Sequence, residues 1–182
     1  MTTITACLPL FALSLMDVAD SFCPVQLMQI TRAVDYAVRV LIHLASAPHG
    51  HKYPLNELAV ATGVQESFLS KILQRLVHQG MLISQRGSGG GFVLNRAPDQ
   101  ITLLSVIEAI EGPTQLNHCV GEAGHCSRKE WCGTHPTWER AQQALTGVLG
   151  AVSIAQLVDE TARLRAAQGS PVPDVTRSAA AS

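Results

Sequence analysis

Apolar residues recur with helical spacing along most of the chain from residue 31 onward. In residues 31–46, for example, Val34, Leu41 and Leu44 fall on one face of a helix with about 3.6 residues per turn. Thr31 is the expected N-cap of this helix, and Pro or Gly residues mark several of the later helix ends. The pattern predicts six helices, over residues 31–46, 55–62, 66–78, 101–111, 137–152 and 154–165. We therefore predict a mainly α fold.

The second and third predicted helices have the spacing of a helix–turn–helix motif. Ala59 is small enough to let the two helices approach closely, and Gly63, four residues later, can adopt the positive φ of a tight turn. The apolar residues Leu58, Val64, Leu69 and Ile72 are expected to fill the shared core. An ordinary helical hairpin is the alternative, because the spacing alone is only moderately specific.

A predicted β-hairpin follows directly. Two apolar runs, residues 81–83 and 92–94, flank the glycine-rich residues 85–91. The glycines do not form a phosphate-binding loop, because no Gly-Lys-Ser/Thr follows them. They do not match a dinucleotide fingerprint either, because Phe92 replaces the third glycine. A helix–turn–helix with a hairpin predicts a winged helix-turn-helix domain, which we assign to residues 28–100.

The exposed positions of this domain suit double-stranded DNA. Residues 28–100 contain seven basic and four acidic residues in a chain of net charge −1. Short hydrogen-bonding and cationic side chains are suited to base edges and phosphates. The predicted DNA-binding residues are Ser67, Ser70, Lys71, Gln74 and Arg75 on the third helix, with Arg86 and Ser88 on the wing. On charge alone, an ordinary solvated face is an equally good interpretation.

Three of the five cysteines lie within fourteen residues of one another. Cys119, Cys126 and Cys132 are followed by His135, all in a segment that we predict to be a loop. Such a set can hold an iron–sulfur cluster, and it can also form a structural zinc site. The wide gaps argue mildly against zinc, whose ligands usually come as close pairs. Three unligated cysteines are the remaining alternative.

Several segments between residues 28 and 160 carry distinctive motifs: MQITRAVDYAVR at 28–39, FLSKILQRL at 68–76, RGSGGGF at 86–92, ITLLSVIE at 101–108 and the three cysteines. Together they resemble a family of bacterial winged-helix iron–sulfur regulators that includes IscR and NsrR. The resemblance implies a cytoplasmic homodimer joined through the long helix near residues 137–152. It also implies that the state of a bound cluster controls DNA binding.

Two residues compete for the role of fourth cluster ligand. Residues 132–138 resemble the stretch of IscR in which three cysteines and a histidine hold a 2Fe–2S cluster, and His135 matches that histidine. Asp35 matches the first-helix aspartate by which the partner subunit completes a 4Fe–4S site in NsrR-type sensors. We favour His135 and a 2Fe–2S cluster, with a 4Fe–4S cluster as the alternative. For Asp35, the alternative role is that of a solvated residue or an ion-pair partner.

The remaining segments complete the predicted organisation. Residues 101–168 are expected to contain the cluster-binding loop and the dimerisation helices, and residues 169–182 a disordered tail. Residues 1–27 differ in composition from the rest and are interpreted as an extension or a mis-assigned start, with Met28 as the natural one. No apolar run is long enough to cross a membrane, so no membrane partner is expected.

The sequence therefore predicts a transcriptional regulator, most simply a repressor, rather than an enzyme. It would sense nitric oxide, redox stress or iron–sulfur status through its cluster. One alternative keeps the DNA binding but uses zinc or a thiol switch. A less favoured one is a redox or metal-carrier module whose winged helix binds protein instead of DNA.

Overall fold

The helical periodicity corresponds to six α-helices in the computed structural model, which describes residues 30–48, 50–87, 89–121 and 126–169. The helices are α1 (Arg32–Ala45), α2 (Leu55–Thr62), α3 (Glu66–His78), α4 (Leu103–Glu111), α5 (His135–Ala151) and α6 (Ile154–Ala167). An antiparallel hairpin of β1 (Leu82–Gln85) and β2 (Gly91–Leu94) follows α3. The predicted mainly α winged-helix fold is confirmed. The predicted N-terminal extension, Ser88 and all of the predicted tail except Gly169 lie outside the described residues.

Helix α1 forms the centre of the fold because one of its faces is continuously apolar. Val34, Leu41 and Leu44 are buried, as the spacing predicts, and α1 packs against α3, α4 and α6. Thr31 occupies the N-cap position, but its hydroxyl makes no cap hydrogen bond among the described residues. Its backbone N–H instead donates to Oε1 of Glu111 at 2.7 Å, which joins the start of α1 to the end of α4.

Helices α2 and α3 form the predicted helix–turn–helix. Gly63 has a φ of 68°, the left-handed conformation that a side chain disfavours, and it ends α2. The N–H of Val64 then donates to the carbonyl of Ala59 at 3.1 Å and closes the turn. The four predicted core residues, Leu58, Val64, Leu69 and Ile72, are all buried.

The wing is held to the rest of the domain by a single β-bridge at Tyr53. Leu82 pairs with Leu94, and the register continues to the pair of Gln85 with Gly91. Tyr53 adds to the outer edge of β2: its N–H donates to the carbonyl of Phe92 at 3.0 Å and its carbonyl accepts from the Phe92 N–H at 2.8 Å. A Cβ on Gly91 would lie only 2.5 Å from the Tyr53 carbonyl oxygen, so a glycine is required for this approach.

The helices after the wing return to the same core. Ile107 on α4 and Ile154 on α6 are buried together with the apolar residues of the winged helix. The junction of α5 and α6 pairs with the segment before α4, and Ile154 N–H donates to the Ile101 carbonyl at 2.8 Å. One hydrophobic core therefore extends across the predicted boundary at residue 100. Among the described residues, no helix is both long and apolar enough to span a membrane.

Candidate DNA-binding surface and cysteine loop

The exposed side of α3 is opposite to its core-facing side. Leu69, Ile72, Leu73 and Leu76 are buried, and they define the side that packs inward. At about 100° per residue, the positions farthest from that side are those of Ser67, Lys71 and Gln74, all three of which are exposed. Ser70 lies at the edge of this surface and is half-buried. Three of the five residues predicted on this helix therefore form one continuous polar stripe.

His78 extends the stripe and was not among the predicted DNA-binding residues. It is exposed and lies one helical turn after Gln74, at the end of α3. Its i+4 and i+7 spacing from Gln74 and Lys71 was visible in the sequence and could have identified it. An imidazole can donate a hydrogen bond to a phosphate or to a base edge.

Arg75 does not extend into this stripe. Its Nη1 donates a hydrogen bond to the backbone carbonyl of Ile110, close to the C-terminus of α4. The last carbonyls of a helix have no partner within the helix, and a cation is favourable there. The structure therefore places the predicted DNA-binding side chain against another helix of the same chain. Helical periodicity could not show this, because Ile110 lies 35 residues away in sequence.

The wing carries the predicted Arg86 at its exposed tip. Arg86 directly follows β1, and Gly87 and Gly89 turn the chain with φ values of 103° and 76°. Ser88 lies outside the described residues. The wing and the exposed stripe of α3 belong to one domain, so a DNA duplex could contact both.

Two residues after β2 connect the wing to the end of α3. Asn95 Nδ2 donates to the Gly80 carbonyl at 2.9 Å, and Arg96 Nη2 donates to the Gln79 carbonyl at 3.0 Å. These hydrogen bonds satisfy carbonyls at the C-terminus of α3, which we call the recognition helix, and so limit how far the wing can move relative to it. Their partners are 15 and 17 residues away, so sequence spacing gave no indication of them.

The three loop cysteines are free thiols, and each is half-buried. Cys119 lies in the short 3-10 helix His118–Val120, and Cys132 follows the short 3-10 helix Lys129–Trp131. Within the described parts of the loop, which omit residues 122–125, no three His, Cys, Asp or Glu side chains converge as a metal site. The structure thus places the predicted ligands in one segment without bringing them to a common point.

The Cys132 thiol lies close to the start of α5. Its Sγ lies 3.2 Å from Oγ1 of Thr134 at the start of α5. The Thr134 hydroxyl, with the backbone amides of Thr134 and His135, lowers the pKa of the Cys132 thiol. The thiolate, rather than the thiol, is the form that binds metals.

His135 is not in the loop, where the sequence placed it, but is the first residue of α5, and only 5% of its surface is exposed. The helix starts here because Pro136 is favourable in the first turn. His135 Nε2 lies 3.0 Å from Oε1 of Glu139, but the two atoms are not aligned as a hydrogen bond. Neither ring nitrogen has a hydrogen-bond partner among the described residues. A buried imidazole without partners is costly, and a metal ion would satisfy it.

The start of the cysteine loop is attached to α5 through Gln142. Its Nε2 donates to the Thr114 carbonyl at 2.7 Å, and its Oε1 accepts from the Leu116 N–H at 2.8 Å. One side-chain amide therefore pairs with two backbone groups of the loop, as a neighbouring strand would.

Asp35, the other candidate ligand, forms an ion pair with Arg39 at 2.8 Å on the solvent side of α1.

The fold and the exposed stripe define a winged-helix DNA-binding protein. The family model Rrf2, described as an iron-dependent transcriptional regulator, matches residues 30–160, and the chain belongs to this family. It is 31% identical over 132 residues to the HTH-type transcriptional regulator IscR of Erwinia tasmaniensis, covering 72% of this chain and 79% of that protein. It is 30% identical over 132 residues to IscR of Escherichia coli O1:K1 / APEC, covering 72% and 81% of the two chains.

Solved structures of regulators have the same fold. The global cysteine regulator CymR of B. subtilis superposes with a TM-score of 0.59 at 27% identity, covering 74% of this chain and 98% of that one. IscR of T. potens gives a TM-score of 0.58 at 22% identity, covering 74% and 88%, and this likeness concerns the fold alone. The family and its named relatives confirm a DNA-binding transcriptional regulator, which is a non-enzymatic function.

Proposed function

We propose that this regulator is a cytoplasmic homodimeric repressor whose affinity for its DNA operator depends on an iron–sulfur cluster. The cluster would be held by Cys119, Cys126, Cys132 and His135, with a 2Fe–2S cluster favoured. Loss or change of the cluster would report nitric oxide, redox stress or iron–sulfur status.

The observation that carries this proposal is the buried imidazole of His135, whose Nδ1 has no hydrogen-bond partner among the described residues. Leaving a buried polar group unsatisfied costs about 1–3 kcal/mol, so such a group is retained where a ligand satisfies it. His135 lies three residues after Cys132, whose thiol pKa is already lowered. A sulfur and a nitrogen ligand are thereby offered at the start of α5. Asp35 is the weaker candidate, because Arg39 already pairs with its carboxylate.

Glu139 would set the orientation of the His135 ring. Histidines that bind metals usually donate their other ring N–H to a carboxylate or a carbonyl, which fixes the tautomer. Oε1 of Glu139 lies 3.0 Å from Nε2 and 3.7 Å from Nζ of Lys129. Nε2 would then carry the proton, and Nδ1 would be the nitrogen free to bind iron.

A bound cluster would supply a redox-sensitive centre that oxygen or nitric oxide can attack. Thiolates hold such clusters and histidine is a known cluster ligand, and a non-thiolate ligand leaves one iron less tightly held. The same four groups could bind zinc, which would supply structure without redox sensitivity. Helix α5 holds both ends of the cysteine loop. Gln142 binds the start of the loop at Thr114 and Leu116, and His135 directly follows its end.

Helix α5 is the surface expected to join two copies of the chain. Of its seventeen residues, only His135 is buried, whereas Trp138 and Val148 are 40% and 67% exposed. A long helix with exposed apolar residues and few charges requires a partner. A second copy is the partner we propose, because two recognition helices related by a two-fold axis match two half-sites on DNA.

The experiment that tests this proposal is anaerobic purification of the full chain, followed by visible absorption and iron, sulfide and zinc analysis. We expect a coloured protein that contains iron and sulfide, at two irons per subunit for a 2Fe–2S cluster. A colourless protein that contains zinc would contradict the cluster and support the zinc alternative. A metal-free protein that also fails anaerobic cluster reconstitution would leave the thiol switch as the remaining alternative.

Matched variants identify the ligands. Cys132→Ala and His135→Ala are expected to lose or weaken the cluster, whereas Cys23→Ala, outside the loop, should retain it. Asp35→Ala should also retain the cluster. Loss of the cluster in that variant would identify Asp35, and not His135, as the fourth ligand. Fluorescence anisotropy with an operator duplex, measured before and after nitric oxide, then links the cluster to DNA binding. Equal affinity in both states would refute the regulatory role.

A further inference from the structure

Arg75 is exposed on α3, but its guanidinium lies against the end of another helix of the same chain. It follows Lys71 by one helical turn, yet its guanidinium donates to the Ile110 carbonyl at the end of α4. Ser67, Lys71 and Gln74, by contrast, point away from the core. A guanidinium that moved to a DNA phosphate would leave this carbonyl without its partner at a part-buried position.

The end of α4 is a fixed point in the domain. Glu111, the next residue, accepts from the Thr31 N–H at 2.7 Å and so connects α4 to the start of α1. On its other side, Ile110 is buried in the common core. Arg75 is the residue by which α3 joins this point through a side-chain hydrogen bond in the described structure. The tilt of the recognition helix is therefore defined at three places: its core face, the hydrogen bond of Arg75 and the two carbonyls bound by Asn95 and Arg96.

We propose that Arg75 is a positioning residue, which holds the recognition helix at the angle needed for base readout and does not bind DNA. The proposal rests on the DNA-binding function of the family. Phosphate contacts tolerate small shifts of a long side chain, whereas hydrogen bonds to base edges do not. Removal of the Arg75 guanidinium should therefore reduce binding to the operator more than binding to unrelated DNA.

The test compares Arg75→Met with Lys71→Met, because both variants remove one cation from α3 and keep an unbranched stem. The probes are a duplex enriched by the wild-type protein from a random-sequence pool and a scrambled duplex of equal length. Affinities are measured for both over a series of salt concentrations. Hydrogen exchange of the DNA-free proteins is followed in residues 109–114.

Arg75→Met is expected to lower operator affinity roughly tenfold, with scrambled-duplex affinity within about twofold of wild type and the salt slope unchanged. Exchange in residues 109–114 should increase without DNA. Lys71→Met should instead weaken binding to both duplexes alike and reduce the salt slope by about one unit, because one cation no longer neutralises a phosphate. Its exchange in residues 109–114 should match wild type.

Arg75→Lys keeps the positive charge and a donor, and it should recover most of the operator affinity even where Arg75→Met folds poorly. The proposal is overturned if Arg75→Met lowers the salt slope as much as Lys71→Met and weakens both duplexes by the same factor. A wild-type protein that enriches no duplex would instead overturn the DNA-binding function itself, and the positioning role with it.

Discussion

Replacing Ile154 by alanine tests whether α6 is an integral part of the DNA-binding unit. Ile154 is fully buried at the start of α6, within the same core as the winged helix. Its N–H donates to the Ile101 carbonyl at 2.8 Å, and the Leu103 N–H donates to the Val152 carbonyl, also at 2.8 Å. The substitution leaves these backbone hydrogen bonds in place and removes only buried side-chain atoms.

The expected cost follows from the burial. Isoleucine has three more side-chain carbons than alanine, and each buried methylene is worth about 0.8 kcal/mol of transfer free energy. The cavity left behind adds to this, because a packed core relaxes only in part. We expect the free energy of unfolding to fall by about 3 kcal/mol, a large share of the roughly 5–15 kcal/mol that stabilises a typical domain.

Urea denaturation followed by circular dichroism, at one fixed protein concentration, provides the assay. Leu164→Ala on the same helix is the control, because Leu164 is 54% exposed and its replacement should change stability by less than about 0.5 kcal/mol. The reasoning is refuted if Ile154→Ala costs no more than Leu164→Ala. A second transition in the Ile154→Ala curve would show that α6 unfolds separately from the core.

Three further predictions concern the loop, the wing and pH. Gln142→Leu should destabilise the protein by about 1–3 kcal/mol and speed hydrogen exchange in residues 113–121, whereas Gln143→Leu, which is exposed, should do neither. Gly91→Ala should lower stability by about 1–3 kcal/mol and weaken DNA binding measured by anisotropy, because its Cβ would lie 2.5 Å from the Tyr53 carbonyl oxygen; wild-type DNA affinity would contradict this. Burial, aided by the nearby Arg165, lowers the pKa of His43 below 6.5, so the folded state favours the neutral imidazole. Stability should therefore fall as the pH drops below about 6.5 toward the folded-state pKa, and urea midpoints of His43→Gln should vary less over that window.

Much of the fold was predictable because its helices have clear local signals. The predicted bounds of α2 and α3, residues 55–62 and 66–78, match the structure, since Pro54 and Gly63 delimit one helix and a strongly amphipathic pattern defines the other. Helix α5 starts at His135, two residues before the predicted start at residue 137. Pro136, at the second helical position, is the local signal for this start. Short turns near a helix end carry weaker signals than a long apolar face.

In the candidate site, too, some features follow from local sequence patterns and others depend on tertiary contacts. The exposure of Lys71 and Gln74 follows from helical period alone, because a helix that buries one face must expose the other. The burial of His135 could not be read from its neighbours in sequence, since it depends on which elements cover the first turn of α5. The role of Gln142 was likewise invisible, because its two backbone partners lie 26 and 28 residues away.

By itself, the sequence determined most of the secondary structure, the winged-helix class and the segment that carries the cysteines, because periodicity, turn residues and cysteine spacing are local properties of the chain. Only the tertiary structure decided where Arg75 donates, how Gln142 anchors the loop and that one core joins α4 and α6 to the winged helix. These are contacts between residues far apart in sequence. Their partners are selected by the packing of whole helices, which no local pattern specifies.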